Sequence, residues 1–290
     1  MPETIFSEIK FDAYSPKEIA SRVEKIGVGK ANFNFWAKFT LAMLAGVFIS
    51  FGAVLYTLVV HDSKLSFGLT QLIGGISFCL GLILVVVAGA ELFTGNNLLV
   101  MAYVSKKITA RQLLRNWVIV YFGNFIGAVS MAMWLYIARQ WTVNNSLVGA
   151  KMLLIANAKV SLPFWVAFSR GVLCNALVCL AVWLCMAGRS VADKILSILF
   201  PITAFVALGF EHSVANMYFI PMGILLKNNP LVLEAVTTLS GKPGDFSHLT
   251  IQGLLVNNLL PVTLGNIVGG GVLVGLVYWF VYLRGKNRKA

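Results

Sequence analysis

The sequence predicts an all-α membrane protein of six transmembrane helices, built as a 3+3 inverted repeat in which the second and fifth helices are broken. Three observations carry that prediction: the composition, the lengths of the apolar runs, and short patterns that recur in both halves of the chain. Of 290 residues, 58% are hydrophobic and only 12% charged, and the mean hydropathy is +0.82. So few polar side chains cannot cover a soluble globule of this size, which excludes a soluble enzyme, a disordered scaffold and a nucleic-acid module. The chain reads as one transmembrane domain over 1–290, with 1–35 a cytoplasmic amphipathic N-terminal segment.

That segment comes first in the chain. Ser15-Pro16-Lys17-Glu18 is a capping box with proline at the first helical position, and Ile19, Val23 and Ile26 follow on one face. A short surface helix is expected, packing on the membrane or a neighbouring subunit, with a mobile cytoplasmic gate as the alternative. Because the first 35 residues are polar, the first crossing itself directs insertion.

Apolar runs near the length of about 20 residues that spans a bilayer stand at 36–60, 67–104, 116–137, 163–187, 194–226 and 251–283. The second and fifth are too long for a single crossing. Polar and small residues interrupt them at Glu91-Leu92-Phe93-Thr94-Gly95-Asn96 and Glu211-His212-Ser213-Val214-Ala215-Asn216. Lysine and arginine set the orientation: sixteen lie on the side of the two termini, among them Lys10, Lys30, Lys38, Lys106, Arg189 and Lys286, against six on the other, Lys64, Arg139, Lys151, Lys159, Lys227 and Lys242. Both termini are therefore expected in the cytoplasm, and the net charge of +12 reflects topology rather than a nucleic-acid surface. Cys79, Cys174, Cys179 and Cys185 sit inside apolar runs and read as buried packing residues.

The two halves share three patterns. Gly46-Val47-Phe48-Ile49-Ser50 loosely matches Gly171-Val172-Leu173-Cys174-Asn175; both breaks read G-x-E-x-x-x-x-N, at Gly89 and Gly209; and Gly123-Asn124-Phe125-Ile126-Gly127 matches Gly265-Asn266-Ile267-Val268-Gly269. The G-N-x-x-G spacing lets helices approach backbone to backbone. Three crossings per half force the second half to enter from the opposite face, so the breaks should meet near the midplane around a path. Glu91 and Glu211, repeated in both halves, are expected to hold the broken backbone by accepting hydrogen bonds from freed amides, with Asn96 and Asn216 helping.

Departures from the repeat point to chemistry. His212 stands where the first half has Leu92, and Thr94 where the second has Val214. A histidine at a helix break in the midplane can donate to an anion or exchange a proton with it, and Thr94 offers a second donor. His61 and His248 are expected in loops. Lys159, just before the fourth crossing, could concentrate anions or be a plain interfacial lysine. Arg170, inside that crossing, should have a structural partner: one of the glutamates, a helix end or a neighbouring subunit.

The two break sequences, together with Gly81-Leu82-Ile83-Leu84, Cys179-Leu180-Ala181-Val182-Trp183 and Pro261-Val262-Thr263-Leu264-Gly265-Asn266, resemble the formate/nitrite transporter family over nearly the whole chain. The resemblance implies an aquaporin-like protomer in a homopentamer, in a bacterial inner membrane, passing small weak-acid anions such as formate, nitrite or hydrosulfide. Carried over residue by residue, it implies His212 as the central pore histidine facing Thr94. It also implies Lys159 and Asn175 as further polar pore residues, and Glu211 and Asn266 as supports of the break. Apolar constrictions would be Leu82, Leu92, Phe93 and Val178 toward the cytoplasm, and Phe78 and Phe205 toward the periplasm. Leu72-Ile73-Gly74-Gly75 and Gly265 through Gly271 are most similar to formate channels, so formate is expected ahead of nitrite and hydrosulfide. No cofactor, metal or nucleic-acid partner is expected; membrane lipid is. A water or glycerol channel would share the fold but lacks a match here, since no Asn-Pro-Ala pair is present. An intramembrane enzyme is disfavoured, because no nucleophile or metal-ligand cluster accompanies His212.

Overall fold

Helices joined by short turns make up the computed structural model, which describes residues 13–285 and has no strand among them. Lys10, the rest of 1–12, and Lys286, Arg288 and Lys289 of the tail lie outside the described residues. Helix α1 (Pro16–Asn32) starts at the expected capping box, where the Ser15 amide donates to Glu18 Oε2 at 2.9 Å. Ile19 and Val23 are buried as expected, but Ile26 is exposed and lines a vestibule.

Among the described residues, five helices are long and apolar enough to span a bilayer: α2 (Phe35–Val60), α3 (Phe67–Gly89), α6 (Ala110–Ile137), α8 (Phe164–Cys185) and α12 (Gly253–Tyr282). The second run breaks after α3 and resumes as α4 (Phe93–Asn96), a 3-10 turn (Asn97–Leu99) and α5 (Val100–Val104). The fifth divides into α9 (Val191–Ala207) and α10 (Ser213–Leu226). Both breaks begin at a glycine with left-handed backbone, Gly89 at φ +87 and Gly209 at φ +68, a conformation an L side chain resists. Two shorter helices, α7 (Leu147–Val160) and α11 (Pro230–Ser240), fall outside the apolar runs of spanning length.

The G-N-x-x-G elements lie at close helix crossings, α6 on α2 and α12 on α8. A Cβ at Gly127 would lie 2.0 Å from the Met43 carbonyl oxygen, and one at Gly265 would lie 2.2 Å from that of Phe168. Both positions admit only glycine without the backbones separating. All four cysteines are free and buried, as expected. Outward-facing aromatics and aliphatics such as Trp36, Phe67, Trp165 and Phe200 leave a broad apolar exterior suited to lipid or further subunits.

Candidate functional site

Breaking a helix frees amides and carbonyls that need partners, and at each break the same residue types supply them. At the first, Asn124 accepts from the Phe93 amide through Oδ1 (2.9 Å), while its Nδ2 donates to the carbonyls of Ala42 (2.7 Å) and Glu91 (2.9 Å). At the second, Asn266 accepts from the Ser213 amide (3.0 Å) and donates to the carbonyls of Gly171 (2.8 Å) and Glu211 (3.0 Å). The Glu91 amide donates to the Leu41 carbonyl, and the Glu211 amide to that of Arg170.

This corrects the expectation for the glutamates. Their carboxylates accept from side chains, not from freed amides. Glu91 takes Asn96 Nδ2 at 2.7 Å and pairs with Lys30 Nζ at 2.9 Å. Glu211 takes Asn216 Nδ2 at 2.6 Å and pairs with Lys159 Nζ at 2.9 Å. Asn96 and Asn216 likewise bridge side chains, donating onward to Asn116 and Asn258, whose own amides donate to the carbonyls of Lys30 and Lys159. A buried carboxylate needs such partners, since isolated burial costs several kcal/mol or more.

Sequence reasoning missed Lys30, Asn116 and Asn258. A signal was present: Lys30-x4-Phe35-Trp36-x2-Phe39 recurs as Lys159-x4-Phe164-Trp165-x2-Phe168, and the spacing of 129 residues also links Leu41 to Arg170 and Ala42 to Gly171. The loose pairing of Gly46 with Gly171 is therefore out of step by about one helical turn, because Ala42 and Gly171 are the residues that receive the two asparagine amides.

Between the breaks lies the histidine. His212 is 2% exposed and caps α10, its Nδ1 accepting from the Ala215 amide at 3.1 Å. Because that amide can only donate, the proton of the neutral ring is on Nε2, which lies 2.9 Å from Thr94 Oγ1. Thr94 is fully buried, and its carbonyl accepts from Asn175 Nδ2 and from the Cys179 thiol. Asn175 also donates to Asn97 Oδ1 and to the Asn266 carbonyl, so it fastens the Thr94 turn to α12.

Two vestibules approach this centre. One, of about 330 Å³, holds Lys30, Glu91, Leu82 and Leu92 beside α1; the other, of about 220 Å³, holds Lys159, Glu211, Arg170, Phe78, Phe205 and His212 beside α7. A chamber of only about 10 Å³ shares walls with both, lined by Leu82, Leu92, Val178, Phe78, Phe205, His212 and two further side chains, Ile49 and Ile202. That space holds roughly one water at most. Phe78 and Phe205 meet edge to face at 5.6 Å, and Phe205 lies 5.8 Å from the imidazole ring. Phe93 is absent from this lining; its ring packs on Trp117 and Tyr121 of α6. Among the described residues no glutamate forms an ion pair with Arg170; Glu91 and Glu211 pair with Lys30 and Lys159. His61 lies at the end of α2 and His248 in the segment before α12, both outside the spanning helices.

Two antechambers, each holding a lysine–glutamate pair, beside a dry, aromatic constriction that contains an ionisable ring define a membrane channel or transporter for a small polar solute. The comparisons with known proteins agree. The family model described as formate/nitrite transporter matches residues 17–280, and the chain belongs to that family. It is 45% identical over 277 residues to the formate channel FocA of Escherichia coli K12, covering 94% of this chain and 96% of that one. It is also 39% identical over 283 residues to a probable formate transporter of Methanothermobacter thermautotrophicus, covering 92% of this chain and 93% of that one. Among solved structures, a pentameric formate channel with formate bound matches at a TM-score of 0.79 and 41% identity, covering 86% of this chain and 98% of that one. An ion channel of the same family matches at 0.75 and 28% identity, covering 92% and 98%.

Proposed function

We propose that this chain forms a homopentameric channel of the bacterial inner membrane, passing small monovalent weak-acid anions, formate foremost, with proton exchange at His212 in each protomer. The six crossings form a 3+3 inverted repeat in one domain, the α1 vestibule opens to the cytoplasm with both termini, and the α7 vestibule opens to the periplasm. The observation that carries the reading is His212 Nε2 held 2.9 Å from Thr94 Oγ1 at a constriction too small for a hydrated ion.

The chemistry follows from that geometry. A bare carboxylate entering the apolar chamber loses its hydration at a cost of several kcal/mol or more. His212 Nε2–H lowers that cost by donating to the incoming oxygen in place of Thr94 Oγ1, or by giving up a proton when the ring is charged. The weak acid then passes the phenylalanine and leucine constrictions nearly neutral, and returns the proton beyond them. Thr94 holds the ring in place when no solute is present, and its hydroxyl proton is free to meet the solute. Lys30 and Lys159, each tied to a glutamate, sit one in each vestibule, so that an anion approaching from either side meets an ammonium. Membrane lipid and neighbouring subunits cover the apolar exterior.

The test is flux of formate, nitrite, hydrosulfide and glycerol into liposomes containing the purified protein, at pH 7 and at about pH 5, two conditions that differ widely in the proton supply on which the exchange would draw. Formate should pass fastest, with glycerol excluded and the rate differing between the two pH values. Faster nitrite or hydrosulfide would replace the substrate while keeping the mechanism. Glycerol passage without anion flux would overturn the reading in favour of a neutral-solute channel.

A further inference from the structure

The two vestibules share their break scaffold but not their charge. In the α1 vestibule the charged side chains are Lys30 and Glu91, bound to each other at 2.9 Å. Lys38, one turn into α2, adds nothing there: it is fully buried, with its ammonium on the Ala31 carbonyl. The α7 vestibule holds the corresponding pair, Lys159 and Glu211, also at 2.9 Å, and in addition Arg170. At the corresponding place in the α1 vestibule stands Leu41, whose carbonyl receives the Glu91 amide as that of Arg170 receives the Glu211 amide. Among the described residues no carboxylate lies within salt-bridge distance of the Arg170 guanidinium, and its side chain is exposed. The α1 vestibule is thus neutral and the α7 vestibule carries one uncompensated positive charge.

We propose that Arg170 is an anion-recruiting residue at the mouth of the α7 vestibule, raising the local concentration of small carboxylate or oxyanion solutes before they reach Lys159 and His212. The proposal rests on the channel reading above and names a residue outside the proton-exchanging pair. Lys159 cannot supply this attraction at range, because Glu211 cancels its charge at a distance beyond a few ångströms; an unpaired guanidinium can, and its planar fork offers two parallel donors to a carboxylate. Arg170 stands about two turns into α8, past the exposed Trp165, and is one of the residues lining the α7 vestibule. Low-dielectric walls lined by one sign of charge focus the field into the cleft.

The experiment compares wild type, Arg170→Gln and Arg170→Lys in proteoliposomes, measuring formate flux well below saturation. Ionic strength is set from about 0.01 M to about 1 M with potassium gluconate, which moves the screening length from about 30 Å to about 3 Å. Assembly of each variant is checked by size exclusion. The expected result is a roughly three- to tenfold lower flux for Arg170→Gln at low ionic strength, closing to within about twofold at high ionic strength, with Arg170→Lys near wild type. Equal flux of Arg170→Gln and wild type at every ionic strength would overturn the proposal, leaving Arg170 as a side chain directed to the lipid interface. So would a loss that ignores ionic strength and accompanies poor assembly in both variants, which would make Arg170 a structural or intersubunit residue. Absence of anion flux in the wild type would instead remove the channel reading itself, so the two failures are distinguishable.

Discussion

The break between α3 and α4 and the break between α9 and α10 are held by the same parts, yet only one carries the histidine. Each has a left-handed glycine, a glutamate paired to a lysine at 2.9 Å, two asparagines in a chain, and a third asparagine stitched across a helix crossing. Among the positions that differ are Leu92 against His212, Thr94 against Val214, and Leu41 against Arg170. Duplication therefore marks residues that satisfy broken backbone at membrane depth, a need common to both halves. The departure at Leu92 against His212 falls in the chamber where the two breaks meet, and Thr94 stands directly behind it on the imidazole.

That comparison makes quantitative statements. The largest effect is expected where helices touch through glycine: Gly127→Leu and Gly269→Leu force a side chain into a carbonyl oxygen, that of Met43 and that of Val172, and should each cost about 3 kcal/mol or more, seen as loss of detergent-stable assembled protein. One of the pair tolerated and the other not would break the equivalence of the two crossings. Next come Asn124→Ala and Asn266→Ala, each of which strands a freed amide and two carbonyls; both should destabilise by about 2–4 kcal/mol, with thermal transitions lowered by similar amounts. A shift confined to one of them would mean that the second break is held some other way.

Variants that make the halves alike test the opposite side of the comparison. His212→Leu copies Leu92 into the second break and should leave assembly intact while lowering weak-acid flux about 100-fold or more, with pH dependence changed. Unaltered flux would remove His212 from the mechanism. Thr94→Val copies Val214 into the first break; it removes one donor and frees the imidazole, and a loss of about tenfold is expected in the same assay. If Thr94→Val matched His212→Leu in size, the hydroxyl rather than the ring would be the group that meets the solute.

Much of this site was legible before any coordinates. The two interruptions fall where hydropathy and the G-x-E pattern put them, and Gly123 and Gly265 lie at close helix crossings as their spacing implies. The pairing of His212 with Thr94 was legible only as a shared departure from the repeat. The role of Lys30 is not legible in the same way, because the pattern of α1 is that of a surface helix and α7, which carries the counterpart Lys159, is below spanning length. Phe93, expected at the constriction, turns its ring toward Trp117 and Tyr121, while Ile49 and Ile202 take places in the chamber. Helical periodicity gives the face of a residue relative to its own helix, but not which neighbour that face meets.

The sequence by itself determined that the chain belongs in a bilayer, where its helices break, which glycines bring helices together and that His212 stands apart from its counterpart. These are properties of composition and local order, which bilayer thickness and backbone hydrogen bonding convert directly into structure. Only the tertiary structure decided who satisfies whom: that Lys30 and Lys159 neutralise Glu91 and Glu211, that Asn124 and Asn266 take the freed amides, that the imidazole proton is on Nε2, and that Arg170 stands unpaired in one vestibule. The partners of the two glutamates and their asparagines come from as far as 99 residues away, and their pairing is set by the packing of whole helices. No local pattern encodes a contact of that range, because its free energy depends on what else is excluded from the same buried space.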